Sequence, residues 1–271
     1  MPSDLDLKAL FDGPALANRN DMDKLGQRLK ALHDAGLTAT QFDVFRVNYY
    51  YRSVTTVWTV AATAAAALAN EPARISLAKR AVYGALLEEL GAPEEPSRAV
   101  APMAALGKSH PALLLDCLNI FGAGAFGLPR LTAQDIAGHT LLDEFSRDYR
   151  RRQRVLFTHE SLACVLGAAY AQETAADGML RTIRDELFSP LLPCMVASPL
   201  QTAMRYFDVH LDDAGPGGVE AEHGKEALEN LIAELRETPA ALQSAAAAAE
   251  ASFEVQGEFF DDLATAMERR G

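Results

Sequence analysis

Apolar residues recur at helical spacing along almost the whole chain, and no segment shows the strict alternation of a half-buried strand. In the segment from Asp23 to Leu32, Leu25, Leu29 and Leu32 stand four and three residues apart. Thr38 to Asn70 reads as one long helical stretch with a bend. Pro72 suits the first turn of a further helix that stops at Gly91, and the prolines at 93, 96 and 102 predict an irregular connection up to Lys108. The next helix opens at His110-Pro111 and ends in the Gly122/Gly124 cluster. Thr132 and Asp135 form a capping pattern for a helix to about Arg154. Thr158 caps a helix that passes Glu173. Ser198-Pro199 opens one through Asp213, broken by Gly215-Pro216-Gly217-Gly218. Helix resumes from Val219 to Arg236, and Thr238-Pro239 starts the last one, which holds the Ala245–Ala249 run. Alanine, the strongest helix former, is abundant throughout. The expectation is one all-α domain spanning residues 1–271, a multi-helix bundle of roughly eight to ten helices.

Charge narrows the partners. The 271 residues carry 37 acids against 25 Lys and Arg, a formal charge of −12. That sign argues against nucleic acid and against an anionic membrane surface. Three scattered cysteines (Cys117, Cys164, Cys194) fit neither a disulfide framework nor a metal knuckle, and they point to a reducing, cytoplasmic setting. The acidic N-terminus lacks the basic region of a signal peptide. Val54 to Ala69 is the longest apolar stretch, but it consists of small residues with four threonines and falls short of a membrane span.

The chain has six histidines. His33 fits a helix end, and His139 and His159 fit structural places near helix starts. His210 and Asp213 share a helix face, and so do Glu220 and His223 after the Gly/Pro break. Imidazole with carboxylate suits iron, manganese or zinc. In helical bundles such pairs on facing helices build dinuclear sites. Glu173 follows Leu166, Ala169 and Tyr170, an apolar stripe, so its carboxylate must be paired, protonated or metal-bound. Glu88 and Glu89 close another apolar stripe, and spacing does not choose between them. Cys164 reads as a packing thiol, and the arginines from Arg147 to Arg154 read as a solvated helix end. There is no Gly-rich phosphate loop, GxSxG or HExxH pattern.

Four segments together resemble the heme-oxygenase-like diiron oxidases, whose fold is shared with heme oxygenase, thiaminase II and pyrroloquinoline-quinone synthase. They are Asn48-Tyr49-Tyr50-Tyr51; Leu86-Leu87-Glu88-Glu89-Leu90-Gly91 followed by Ser109-His110-Pro111; Gly167 to Glu173; and Tyr206-Phe207-x-x-His210 followed by acids and His223-Gly224. The resemblance implies a heme-oxygenase-like bundle with Glu88, His110, Glu173, His210, Asp213 and His223 as ligands of two ferrous ions. Tyr170 would orient a ligand, line the pocket or pack in the core, and Trp58 would stand in the pocket wall or in the core. The last motif departs from the family's spacing, so Asp212, Asp213 and Glu220 stay open as alternatives. The implied activity is that of a nonheme diiron enzyme using dioxygen as co-substrate on a small organic molecule, such as an amino-acid derivative or a fatty acid. A homodimer is compatible with it. Two other readings are a metal-free enzyme on the same fold and a non-catalytic helical interaction protein. A heme enzyme would need His33 as its axial ligand.

Overall fold

The computed structural model describes residues 4–70, 77–78, 86–90, 108–195, 200–211 and 218–271. They are all helix and connection, with no strand among them. We number the longer helices α1 (Asp4–Asp34), α2 (Ala39–Ser53), α3 (Thr55–Asn70), α4 (His110–Phe126), α5 (Ala133–Ala137), α6 (Glu144–Phe157), α7 (Leu162–Ile183), α8 (Leu200–His210), α9 (Gly218–Leu235) and α10 (Pro239–Glu268). A helical turn, Leu87–Glu89, precedes α4. No helix among the described residues is long and apolar enough to cross a membrane.

Local signals account for many helix ends. Thr38 and Gln41 form a complete capping box at the start of α2, and Thr132 and Asp135 form another on α5. Several ends differ from the sequence expectation, and tertiary contacts explain the clearest cases. Helix α1 begins at residue 4 and carries Pro14 inside it. An internal proline costs about 3 kcal/mol, but burial of Leu7, Phe11 and Ala15 on one face offsets that. The helix expected from Thr132 to Arg154 is two helices. The buried Asn48 of α2 organises the break: its Nδ2 donates to the Leu141 carbonyl, and its Oδ1 accepts from the Asp143 amide and the Ser146 hydroxyl. Thr158 ends α6 rather than starting α7, its hydroxyl donating to the Arg154 carbonyl. His139 and His159 sit in the two connections, each Nδ1 accepting an amide N–H two residues on. Helix α4 runs past its glycines to Phe126.

The buried side chains form two large clusters. The first is aromatic, built around Phe42, Phe45, Phe121, Phe188, Phe207 and Phe260. The second is built of alanines from α7 and α10 around Phe11, Tyr170 and Phe253. Helices α1, α7 and α10 each contribute to both. The two backbones come closest at Gly167, where a Cβ would stand 2.0 Å from the Ala245 carbonyl oxygen. The alanines of α7 and α10 in this cluster serve close helix packing.

Candidate metal centre

Three side chains from separate parts of the chain converge at the edge of the aromatic cluster. Glu89 comes from the turn before α4, His110 is the first residue of α4, and His210 is the last of α8. One ligand atom from each lies within 4.8 Å of the others. Glu89 Oε1 stands 3.4 Å from His110 Nδ1, and the two imidazole rings are 4.3 Å apart between centroids. His210 is buried, at 5% exposure.

The local geometry orients these groups. Ser109 is extended and Pro111 lies in the first turn, so α4 starts abruptly and places His110 at its opening. His210 Nδ1 stands 2.5 Å from the Tyr206 carbonyl oxygen one turn back. A carbonyl can only accept, so Nδ1 carries the proton and Nε2 presents its lone pair. The Tyr206 ring packs against the His210 ring. Burial pushes the hydroxyls of Tyr206, Tyr49 and Tyr149 above the usual tyrosine range, so they stay neutral hydrogen-bonding groups.

The pocket containing this trio is also lined by Glu173 and His223. Gly224 explains the closeness of α9 to α7: a Cβ there would meet the Thr174 Cα at 3.0 Å. The remaining wall includes Arg52, Thr56, Val60, Leu114, Gln172, Met179, Leu180 and Tyr206. Gln172 accepts from the Thr59 hydroxyl at 2.6 Å.

Of the residues expected from sequence, His110, Glu173, His210 and His223 line one pocket. Spacing left Glu88 and Glu89 open; among the described side chains, the Glu89 carboxylate joins the histidines. The side chains of Glu88 and Glu220, and all of Asp212 and Asp213, lie outside the described residues. Tyr170 is not in the pocket: it packs between Phe11 and Phe253 in the alanine cluster. Helix α7 lines the pocket through Gln172, Glu173, Ala176, Met179 and Leu180. Trp58 is half-exposed against Phe157, and neither it nor His33 lines the pocket. The α6 arginines are surface groups, with Arg151 paired to Glu144 and Asp148 and Arg152 to Glu258. Arg52 and Tyr206 were not singled out from sequence. Arg52 carried a readable signal, a charge following Phe45, Asn48 and Tyr49 at i−7, i−4 and i−3, all fully buried.

The donor set fits a divalent transition metal. Two donors about 2.1 Å from one ion, at tetrahedral to octahedral angles, stand about 3.0–3.4 Å apart. The Glu89–His110 separation of 3.4 Å falls in that range. Two imidazoles and one carboxylate with open positions are the donor set of nonheme ferrous centres, and zinc accepts the same atoms.

No protein-family model matches the chain, and no curated protein matches it. Two crystal structures of a CADD-like protein of unknown function from Nostoc punctiforme PCC 73102 do match it. One superposes with a TM-score of 0.61 at 18% identity, over 92% of this chain and 96% of that one. The other gives 0.57 at 19% identity, over 90% and 97%. At this identity the likeness is one of fold: the chain is an all-helical bundle similar to these CADD-like proteins.

Proposed function

We propose that the chain is a heme-oxygenase-like, nonheme iron enzyme that uses dioxygen to oxidise a small organic substrate. The observation that carries this reading is the convergence of Glu89, His110 and His210 within 4.8 Å. Glu173 and His223, lining the same pocket, are the candidates for a second metal position. The chemistry that ferrous iron supplies when bound is reduction of dioxygen coupled to substrate oxidation. The protein's own part is positional and electrostatic. Glu89 offers an anionic oxygen, and His210 offers Nε2 because its Nδ1 proton is held by the Tyr206 carbonyl. Val60, Leu114, Met179 and Leu180 keep one side of the pocket apolar, which strengthens charge interactions inside it.

The test is anaerobic loading with ferrous iron, removal of loosely held metal, and analysis of what remains. About two irons per chain are expected, as in dinuclear bundle sites, with dioxygen consumed on exposure to air. Protein that retains no iron, or that retains iron equally after His210→Ala, would overturn the reading. Activity that is indifferent to chelator would favour a metal-free enzyme on the same fold.

A further inference from the structure

Arg52 is a buried cation without an acid partner among the described residues. It is 5% exposed. Its Nη2 donates to Gln256 Oε1 at 3.1 Å, and its guanidinium carbon lies 5.3 and 5.5 Å from the ring centroids of Tyr149 and Phe260. Its Nε has no hydrogen-bond partner, and no carboxylate among the described residues pairs with it. The other deeply buried arginine among the described residues, Arg46, does have one, donating to Asp43. An arginine cannot shed its charge, so an uncompensated one is expensive to bury. The ring faces and the glutamine amide offset part of that cost.

The position of this charge is informative. Arg52 lines the pocket that holds Glu89, His110 and His210, and it is the one Lys or Arg among the described residues that do so. Thr56, in the first turn of α3, lines it too. A single guanidinium fork, with Glu89 and Glu173 in the same pocket, matches one planar monoanion. A phosphate dianion would bring a second negative charge with no second Lys or Arg among the described lining residues to meet it.

We infer that Arg52 binds the carboxylate of the substrate, so that the substrate class is a small organic acid. Its reacting part then lies toward Glu89, His110 and His210. This rests on the reading of the pocket as an enzyme's, but its test does not need the metal.

The experiment measures binding to chelator-treated, metal-free protein by calorimetry or ligand-observed NMR. The probes are benzoate and hexanoate, each against its amide, with methyl phosphate as a further arm. Each acid is expected to bind roughly tenfold or more tightly than its amide. Arg52→Gln is expected to abolish that preference, Arg52→Lys to keep part of it, and Arg52→Gln to bind iron as the parent chain does. Equal or absent binding of acids and amides would overturn the inference. So would a preference that survives Arg52→Gln in folded protein, or tighter binding of methyl phosphate. Should the Gln variant not fold, the acid-to-amide ratio of the parent chain and of Arg52→Lys decides. A parent chain that binds acids selectively but retains no iron would defeat the iron reading and leave this one standing.

Discussion

The Nδ1–H of His210 donates to the carbonyl oxygen of Tyr206, one turn earlier on the same helix, at 2.5 Å. The bond holds the ring against rotation and leaves Nε2 as the metal-ligating atom of a group that converges with Glu89 and His110. Replacing His210 by Ala removes that donor while leaving the helix intact. Iron affinity is expected to fall by about a hundredfold or more, read from competition with a chelator of known strength. Unchanged affinity would remove His210 from the centre.

Glu89 supplies the anionic member of the trio. Glu89→Gln keeps the shape of the side chain and removes the charge. Iron retention is expected to drop, and by more than in Glu88→Gln. Equal losses would mean that both carboxylates serve the metal.

Tyr170 packs between Phe11 and Phe253 in the alanine cluster, away from the pocket. Tyr170→Phe is therefore expected to leave iron binding and oxygen consumption at parent levels. The change in stability should stay within about 1 kcal/mol, because ring and packing are kept. A large loss of oxygen consumption with normal stability would return Tyr170 to the site.

Gly167 and Gly178 lie on the same helix and should respond oppositely to alanine. At Gly167 the new methyl would stand 2.0 Å from the Ala245 carbonyl, so the two helices must separate. Destabilisation of about 3 kcal/mol is expected, measured by urea unfolding. Nothing lies within 4 Å of a Cβ at Gly178. There the substitution should be neutral or stabilising by up to about 1 kcal/mol.

Arg28 joins α1 to the end of α10, with Nη2 2.7 Å from Glu268 Oε2 and Nη1 2.6 Å from Asp261 Oδ1. Its hydrogen bonds hold the Glu268 carboxyl below the usual carboxylate range. A group whose folded pKa is depressed stabilises above its unfolded pKa of about 4.3, and loses that contribution as pH falls through the folded value. The stability gap between the parent chain and Glu268→Gln should thus be present at neutral pH and close in acid. It should not exceed about 1 kcal/mol, since the carboxylate is 44% exposed. A gap that widens in acid would contradict the pairing.

The helical fold was legible in the sequence because its signals are local. Apolar spacing depends on the 3.6-residue period, and capping boxes such as Thr38–Gln41 and Thr132–Asp135 close within one turn. The breaks were harder, because their causes are distant. Asn48 bonds the chain 93 to 98 residues away, and nothing around Gly138 announces that a helix must stop there. Pro14 stands inside α1 because the burial that outweighs its cost comes from helices far along the chain.

The candidate site divides in the same way. Glu173, His210 and His223 stood out in the sequence as ionisable groups on helix faces, and His110 entered through the family resemblance. Spacing did not separate Glu88 from Glu89, since neighbours on a helix differ by about 100° and the inward direction is set by what packs on the turn. The sequence left Tyr170, one turn from Glu173, between the pocket and the core; the fold places it in the alanine cluster. It passed over Arg52, whose lack of an acidic partner among the described residues is visible only in the fold. Residue types and their periodicity determined that this chain is helical and which groups could carry chemistry. Which of those groups meet was decided by packing, because convergence in space is a property of the helices' arrangement and not of any one helix.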